Sequence, residues 1–72
     1  MNKIAGYRKM LGMTQQDMAK RMQISRQTYS LKENGKISFS DDEKIILKEL
    51  LIQIFPNITI DEIFFRNKVS QS

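Results

Sequence analysis

The sequence predicts an all-α fold, a single domain of five helices, and three kinds of observation carry that prediction. Apolar residues recur at three- and four-residue spacing in successive segments. Hydroxyl residues suited to helix capping stand in front of those segments, and Gly, Asn or Pro follows most of them. The chain is 72 residues long, enough for one domain with a small core, for which a partner subunit would add stability. Residues 1–66 are expected to form the domain and 67–72 a frayed tail. There are no repeats, low-complexity runs or linkers.

The first helix is expected from Asn2 to Leu11, with Ile4, Tyr7 and Leu11 on one face and Lys3, Arg8 and Lys9 away from it; Gly12 ends it. Gly6 inside this segment weakens the helix by about 1 kcal/mol relative to Ala, which suggests a close approach of another element. Thr14 caps a second helix opened by Gln15, in which Met18, Ala19 and Met22 form the buried face. After a break at Gln23-Ile24-Ser25, where Ser25 is again a cap, a third helix runs from Arg26 to Glu33. Asn34-Gly35 tolerates the left-handed conformation that ends it. Two short helices joined so tightly must cross steeply, with Ala19 allowing close approach, and that is the shape of a helix-turn-helix.

In the connector Lys36 to Phe39, Ile37 and Phe39 are expected to tuck under the domain. Ser40 and Glu43 then form a capping box, and Asp41 and Asp42 place negative charge in the first turn of a fourth helix, where the helix dipole favours it. That helix is expected to reach about Phe55, stopped by Pro56. Its apolar residues, Ile45, Ile46, Leu47, Leu50, Leu51, Ile52, Ile54 and Phe55, spread round most of the circumference, so part of the surface calls for a second cover. Thr59 and Glu62 form another capping box, opening a last helix with Ile60, Ile63, Phe64 and Phe65. Adjacent Phe64 and Phe65 cannot both face one core. Either one of them is core and the other incidentally exposed, or the surplus is covered by a two-fold interface built from Ile54, Phe55, Phe64 and Phe65.

Composition narrows the function. There is no Cys and no His, which removes thiolate nucleophiles, disulfides and the common metal-binding sets. No Gly-rich phosphate loop is present, nor any clustered carboxylate pair beyond the capping acids, so neither an enzyme nor a cofactor is expected, and no small-molecule substrate is evident. Nothing at the N-terminus resembles a signal peptide and no apolar run nears membrane-spanning length, so a cytoplasmic protein without membrane contact is expected. The net charge is +4, unevenly spread. Residues 1–36 carry eight Lys or Arg against two acids, and residues 37–72 carry four against six. The basic half contains the helix-turn-helix, as a phosphate-facing surface would.

Thr14-Gln15-Gln16, Ala19, Ile24-Ser25-Arg26-Gln27-Thr28 and Glu33-Asn34-Gly35-Lys36 together resemble the DNA-binding domain of phage repressors and Cro-type proteins, the XRE-type family. The resemblance covers roughly Ile4 to Phe65 and implies a compact lambda-repressor-like fold whose third helix lies in the DNA major groove. It implies base reading by Ser25, Arg26 and Gln27, with Leu31 one turn further along. Arg suits guanine, Gln suits adenine, and Leu can meet a thymine methyl. It also implies phosphate positioning by Arg8, Gln15, Asn34 and Lys36, a pairing of Arg8 with Glu33, and bracing of the recognition helix by Gln15. Taken alone, Arg26 and Gln27 are ordinary residues at a helix start, and their place in the motif is what gives them a role.

Two residues depart from the family pattern. Gln23 stands where Gly is usual, so a left-handed turn there carries a modest steric cost. Lys32 stands where a large apolar residue is usual, and its stem is expected to cross the core edge while the ammonium reaches solvent or phosphate. The function this implies is a homodimeric, sequence-specific double-stranded DNA-binding transcriptional regulator, acting sterically on a near-palindromic operator. The alternative is a protein-interaction module of antirepressor or antitoxin-like type that uses the apolar C-terminal helices.

Overall fold

Three helix ends in this chain share one local solution, and it sets the architecture. The computed structural model describes residues 2–64; Phe65 and the expected tail at 67–72 lie outside the described residues. The first helix, α1 (Lys3–Met10), is capped by Asn2, whose side chain accepts from the Ala5 amide at 3.0 Å. It ends at Gly12, in the left-handed region at φ 72°. The Gly12 amide donates to the Lys9 carbonyl and that of Met13 to the Arg8 carbonyl, the paired bonds of a Schellman motif. The third helix, α3 (Arg26–Glu33), ends the same way at Gly35, with bonds from Gly35 to Lys32 and from Lys36 to Leu31. Asn34 stays right-handed.

Between them α2 (Gln15–Met22) makes the same termination without glycine. Gln23 takes φ 60°, ψ 43°, while its amide reaches the Lys20 carbonyl and that of Ile24 the Ala19 carbonyl. The left-handed turn expected at this position is present, and a side chain there costs about 1–2 kcal/mol. At the other end of α2, Thr14 and Asp17 exchange hydrogen bonds of 3.1 and 2.9 Å in a capping box. Those bonds to Thr14 hold the Asp17 carboxyl below its ordinary range. The sequence reading identified the Thr14 cap but not its acidic counterpart.

The fourth helix, α4 (Asp41–Leu51), opens on the Ser40–Glu43 capping box as expected. It stops four residues short of Phe55. A helix continued to Pro56 would drive the proline ring into the carbonyl of Ile52. Instead the Leu51 carbonyl accepts from both Ile54 and Phe55, closing a tight turn. The last helix, α5 (Ile60–Phe64), follows the expected Thr59–Glu62 capping box.

Met18, Ala19 and Met22 from α2, Tyr29 from α3, Phe39 from the connector, Leu47, Leu50 and Leu51 from α4, and Ile63 from α5 form the core. No α1 residue is fully buried; Ile4, Tyr7 and Leu11 lean on the core from one side. Phe39 bridges the rings of Tyr29 and Phe64, at 6.1 and 5.5 Å between centroids. Of the two connector residues expected to tuck in, only Phe39 does, and Ile37 is exposed. The close approach expected at Gly6 is absent too, because an added Cβ there would meet nothing within 4 Å. Among the described residues the fold is all-helical, and no helix is long and apolar enough to cross a membrane.

Candidate nucleic-acid interface

The start of α3 is raised on a polar frame anchored by a single carboxylate. Glu33, on the last turn of α3, is buried. Arg8 from α1 donates Nε to Glu33 Oε2 at 2.8 Å, Tyr29 donates its hydroxyl to the same oxygen at 2.8 Å, and Gln15 from α2 donates Nε2 to Oε1 at 2.9 Å. Three helices therefore converge on one acid. Burial alone would raise the Glu33 carboxyl, but donors from Arg8, Gln15 and Tyr29 and the Arg8 charge outweigh it and hold the group below its ordinary value. Burial and the neighbouring carboxylate push the Tyr29 phenol up, so it stays a donor. Hydrogen bonding to Glu33 likewise raises Arg8.

The pairing of Arg8 with Glu33 implied by the resemblance is present, as is the brace from Gln15 to α3. Arg8 directs further donors inward, Nη1 to the Met13 carbonyl at 2.9 Å and Nη2 to Glu33 Oε1 at 3.5 Å, and its side chain is 11% exposed. Arg8 thus meets the protein first, whatever it offers a phosphate. Tyr29 and Asn2 were not singled out from the sequence as parts of this frame. Tyr29 stands four residues before Glu33 on the same helix face, a spacing that carries the signal. Asn2 donates to the Glu33 carbonyl at 2.8 Å across the fold, and nothing local reveals that.

On the outer surface Ser25, Arg26 and Gln27 are all exposed, with Leu31 exposed one turn on. Ser25 Oγ accepts from the Thr28 amide at 3.0 Å and donates to the Thr28 hydroxyl at 2.9 Å, so its side chain is occupied in capping α3. Arg26 donates Nη1 to Gln15 Oε1 at 3.0 Å. Asn34 and Lys36 are exposed beyond the far end of α3, where Asn34 Oδ1 accepts from Asn2 at 3.3 Å. Beside Gln15 and Arg26 lies an open concavity of about 550 Å³, lined also by Arg8, Lys9 and Thr14. It faces the N-terminus of α2, where unsatisfied amides and the helix dipole favour an anion.

Lys32 corrects the sequence expectation. Its ammonium goes to Glu43 Oε1 at 2.6 Å rather than to solvent or phosphate. Both side chains are nearly buried, and in such surroundings a cation without a partner would be costly. Glu43 already accepts from the Ser40 amide, so one carboxylate serves as both helix cap and ion pair. Burial raises its carboxyl, and the bonds from Lys32 and Ser40 more than offset that.

Of the residues assigned to a two-fold interface, Ile54 and Phe55 line one surface hollow with Tyr7, whereas Phe64 lines another with Phe39 and Lys44. Ile54 and Phe55 are exposed in the turn after α4, at 43% and 37%, with Ile45 exposed on α4 and Ile52 exposed at its C-cap. Phe55 touches the edge of Tyr7 at 6.3 Å between centroids. Phe64 is partly buried, packed on Phe39 with Lys44 over its ring at 5.7 Å. Phe65 lies outside the described residues.

A family model described as helix-turn-helix matches residues 4–43, more than half of the chain. No curated protein and no solved structure matches the sequence.

Proposed function

Because the chain belongs to the XRE-type helix-turn-helix family of repressor- and Cro-like DNA-binding regulators, typically non-enzymatic, we propose that it binds a specific double-stranded sequence as a homodimer. In this reading residues 1–66 are the DNA-binding domain. Arg26 and Gln27 read base edges in the major groove, flanked by Ser25 as helix cap and Leu31 as an apolar contact. Gln15, Asn34 and Lys36 position the phosphate backbone, and Arg8 works mainly by holding Glu33. The observation that carries this reading is the pair of exposed side chains at the start of α3, one of them fastened through Gln15 to the buried Glu33 frame. Free surface arginines are not held in that way.

The apolar group Ile45, Ile52, Ile54 and Phe55 supports a second copy as the partner, since a 72-residue domain gains stability from burying it. A dimer would set two recognition helices roughly 34 Å apart on a near-palindromic operator. Regulation would act by occupancy, blocking or recruiting polymerase. The same apolar group is what favours the alternative, a protein-interaction module without a DNA role.

The test is selection from a random-sequence duplex pool at two salt concentrations. Enrichment of a near-palindrome with half-sites one helical turn apart is the expected result. Salt-sensitive retention without enrichment would reduce the function to non-specific phosphate binding, and no retention would favour the protein-partner alternative.

A further inference from the structure

We infer that Glu33 controls the base preference of Arg26 without approaching DNA, by dictating which end of the Gln15 amide faces the recognition helix. The inference rests on the reading role proposed above for Arg26. Among the described residues Gln15 links them, donating Nε2 to Glu33 at 2.9 Å and accepting from Arg26 Nη1 at 3.0 Å through Oε1.

The chemistry leaves this amide one orientation. An ionised carboxylate only accepts and a guanidinium only donates. With Glu33 fixed on one side, the flipped amide would set its oxygen against a carboxylate oxygen and its N–H against an N–H. The carboxylate stays ionised because the Arg8 guanidinium holds it from behind. A buried charge therefore polarises the partly buried Gln15, which presents an acceptor, and nothing else, to position 26. Only a donor side chain there can use it.

The consequence is pre-organisation. Arg26 is exposed, and a free arginine would lose rotamer entropy on docking against guanine. Here one Nη1 hydrogen is held while the rest of the fork stays open for a bidentate contact. Because Gln15 is neutral, the Arg26 charge is not cancelled. Gln27 makes no comparable contact among the hydrogen bonds of the described residues, so the effect is confined to the base pair that Arg26 reads.

The experiment is randomised-duplex selection with the full chain, scored position by position and paired with thermal melting. Arg26→Ala identifies the base pair that residue reads. Gln15→Met keeps length and volume but removes the amide. It should flatten preference at that same pair by about three- to tenfold, a typical coupling between touching residues, and leave the other positions' preferences intact. Glu33→Gln should flatten the same pair, as should Glu33→Asp, which keeps the charge but withdraws it by one methylene and serves if the first variant does not fold. Tyr29→Phe removes a Glu33 donor while sparing the Gln15 contact, so it should lower the melting temperature and leave the preference unchanged. A Gln15→Met protein that weakens all sequences equally, its Arg26 pair as sharp as before, would overturn the inference and leave the reading role standing. An Arg26→Ala protein with every preference unchanged would overturn both.

Discussion

Replacing Arg8 with Leu removes the charge that lets Glu33 stay ionised in the interior, and the structure sets both the size and the pH dependence of the effect. Glu33 and Arg8 side chains are 3% and 11% exposed and meet at 2.8 Å. Breaking such a pair costs about 3–5 kcal/mol, because the remaining charge keeps its desolvation penalty. Gln15 and Tyr29 still donate to Glu33, so the lower end, about 3 kcal/mol at pH 7, is expected. A domain of this size has a total of about 4–11 kcal/mol, so the loss is large but measurable by urea denaturation.

Acid dependence provides a sharper check. In the wild type the folded Glu33 carboxyl lies below its unfolded value, so its contribution is complete above the unfolded pKa of about 4.3 and is lost as pH falls through the folded value. In the variant, burial acts without an opposing cation and the folded value rises. Glu33 then takes up a proton more readily when folded, and the gap between variant and wild type narrows from pH 7 to pH 4. A variant that loses less than about 1 kcal/mol, or whose stability falls with acid in parallel with the wild type, would refute the account of Glu33 as a charge stabilised from three helices.

Other perturbations follow from single positions. Gln23→Gly should raise stability by about 0.5–1 kcal/mol, the relief of left-handed strain less the added freedom of the unfolded chain; a lower denaturation midpoint would contradict it. Gly6→Ala should stabilise by up to about 1 kcal/mol, since the new methyl enters open space, and a loss would mean that α1 packs more closely than described. Gln27→Ala should cost about 1–3 kcal/mol of binding and relax one base position, whereas Lys36→Ala should weaken all duplexes alike and flatten the salt slope by about one unit; identical behaviour in competition assays would erase the division between reading and positioning. The proposed dimer should become a monomer in sedimentation on Ile54→Asp, with monomer stability shifting by no more than about 0.5 kcal/mol; a wild type that already sediments as a monomer would refute the dimer, and a variant that stays dimeric would move the interface elsewhere.

Helix caps and turns were legible in the sequence because they are made by residues a few positions apart. Ser40 with Glu43, Thr59 with Glu62, and the break at Gln23-Ile24-Ser25 each contain their own partners, and backbone hydrogen bonding at a helix end leaves few alternatives. The pairing of Arg8 with Glu33 was reached through family resemblance, since nothing in a 25-residue separation announces it. The reach of α4 was misjudged because Pro56 acts four residues upstream, through its ring on the Ile52 carbonyl, and not only where it stands.

By itself the sequence determined how many helices form, which caps open four of them and which short stretch forms the helix-turn-helix, all consequences of local backbone chemistry. Tertiary structure alone decided that Lys32 turns inward to Glu43, that Ile37 stays outside while Phe39 enters, that Gly6 faces open space, and that Gln15 stands between a buried acid and Arg26. Those outcomes depend on which distant groups share a low-dielectric interior. There an unpaired charge or polar atom is costly, and the partner that relieves it is chosen by packing across the fold.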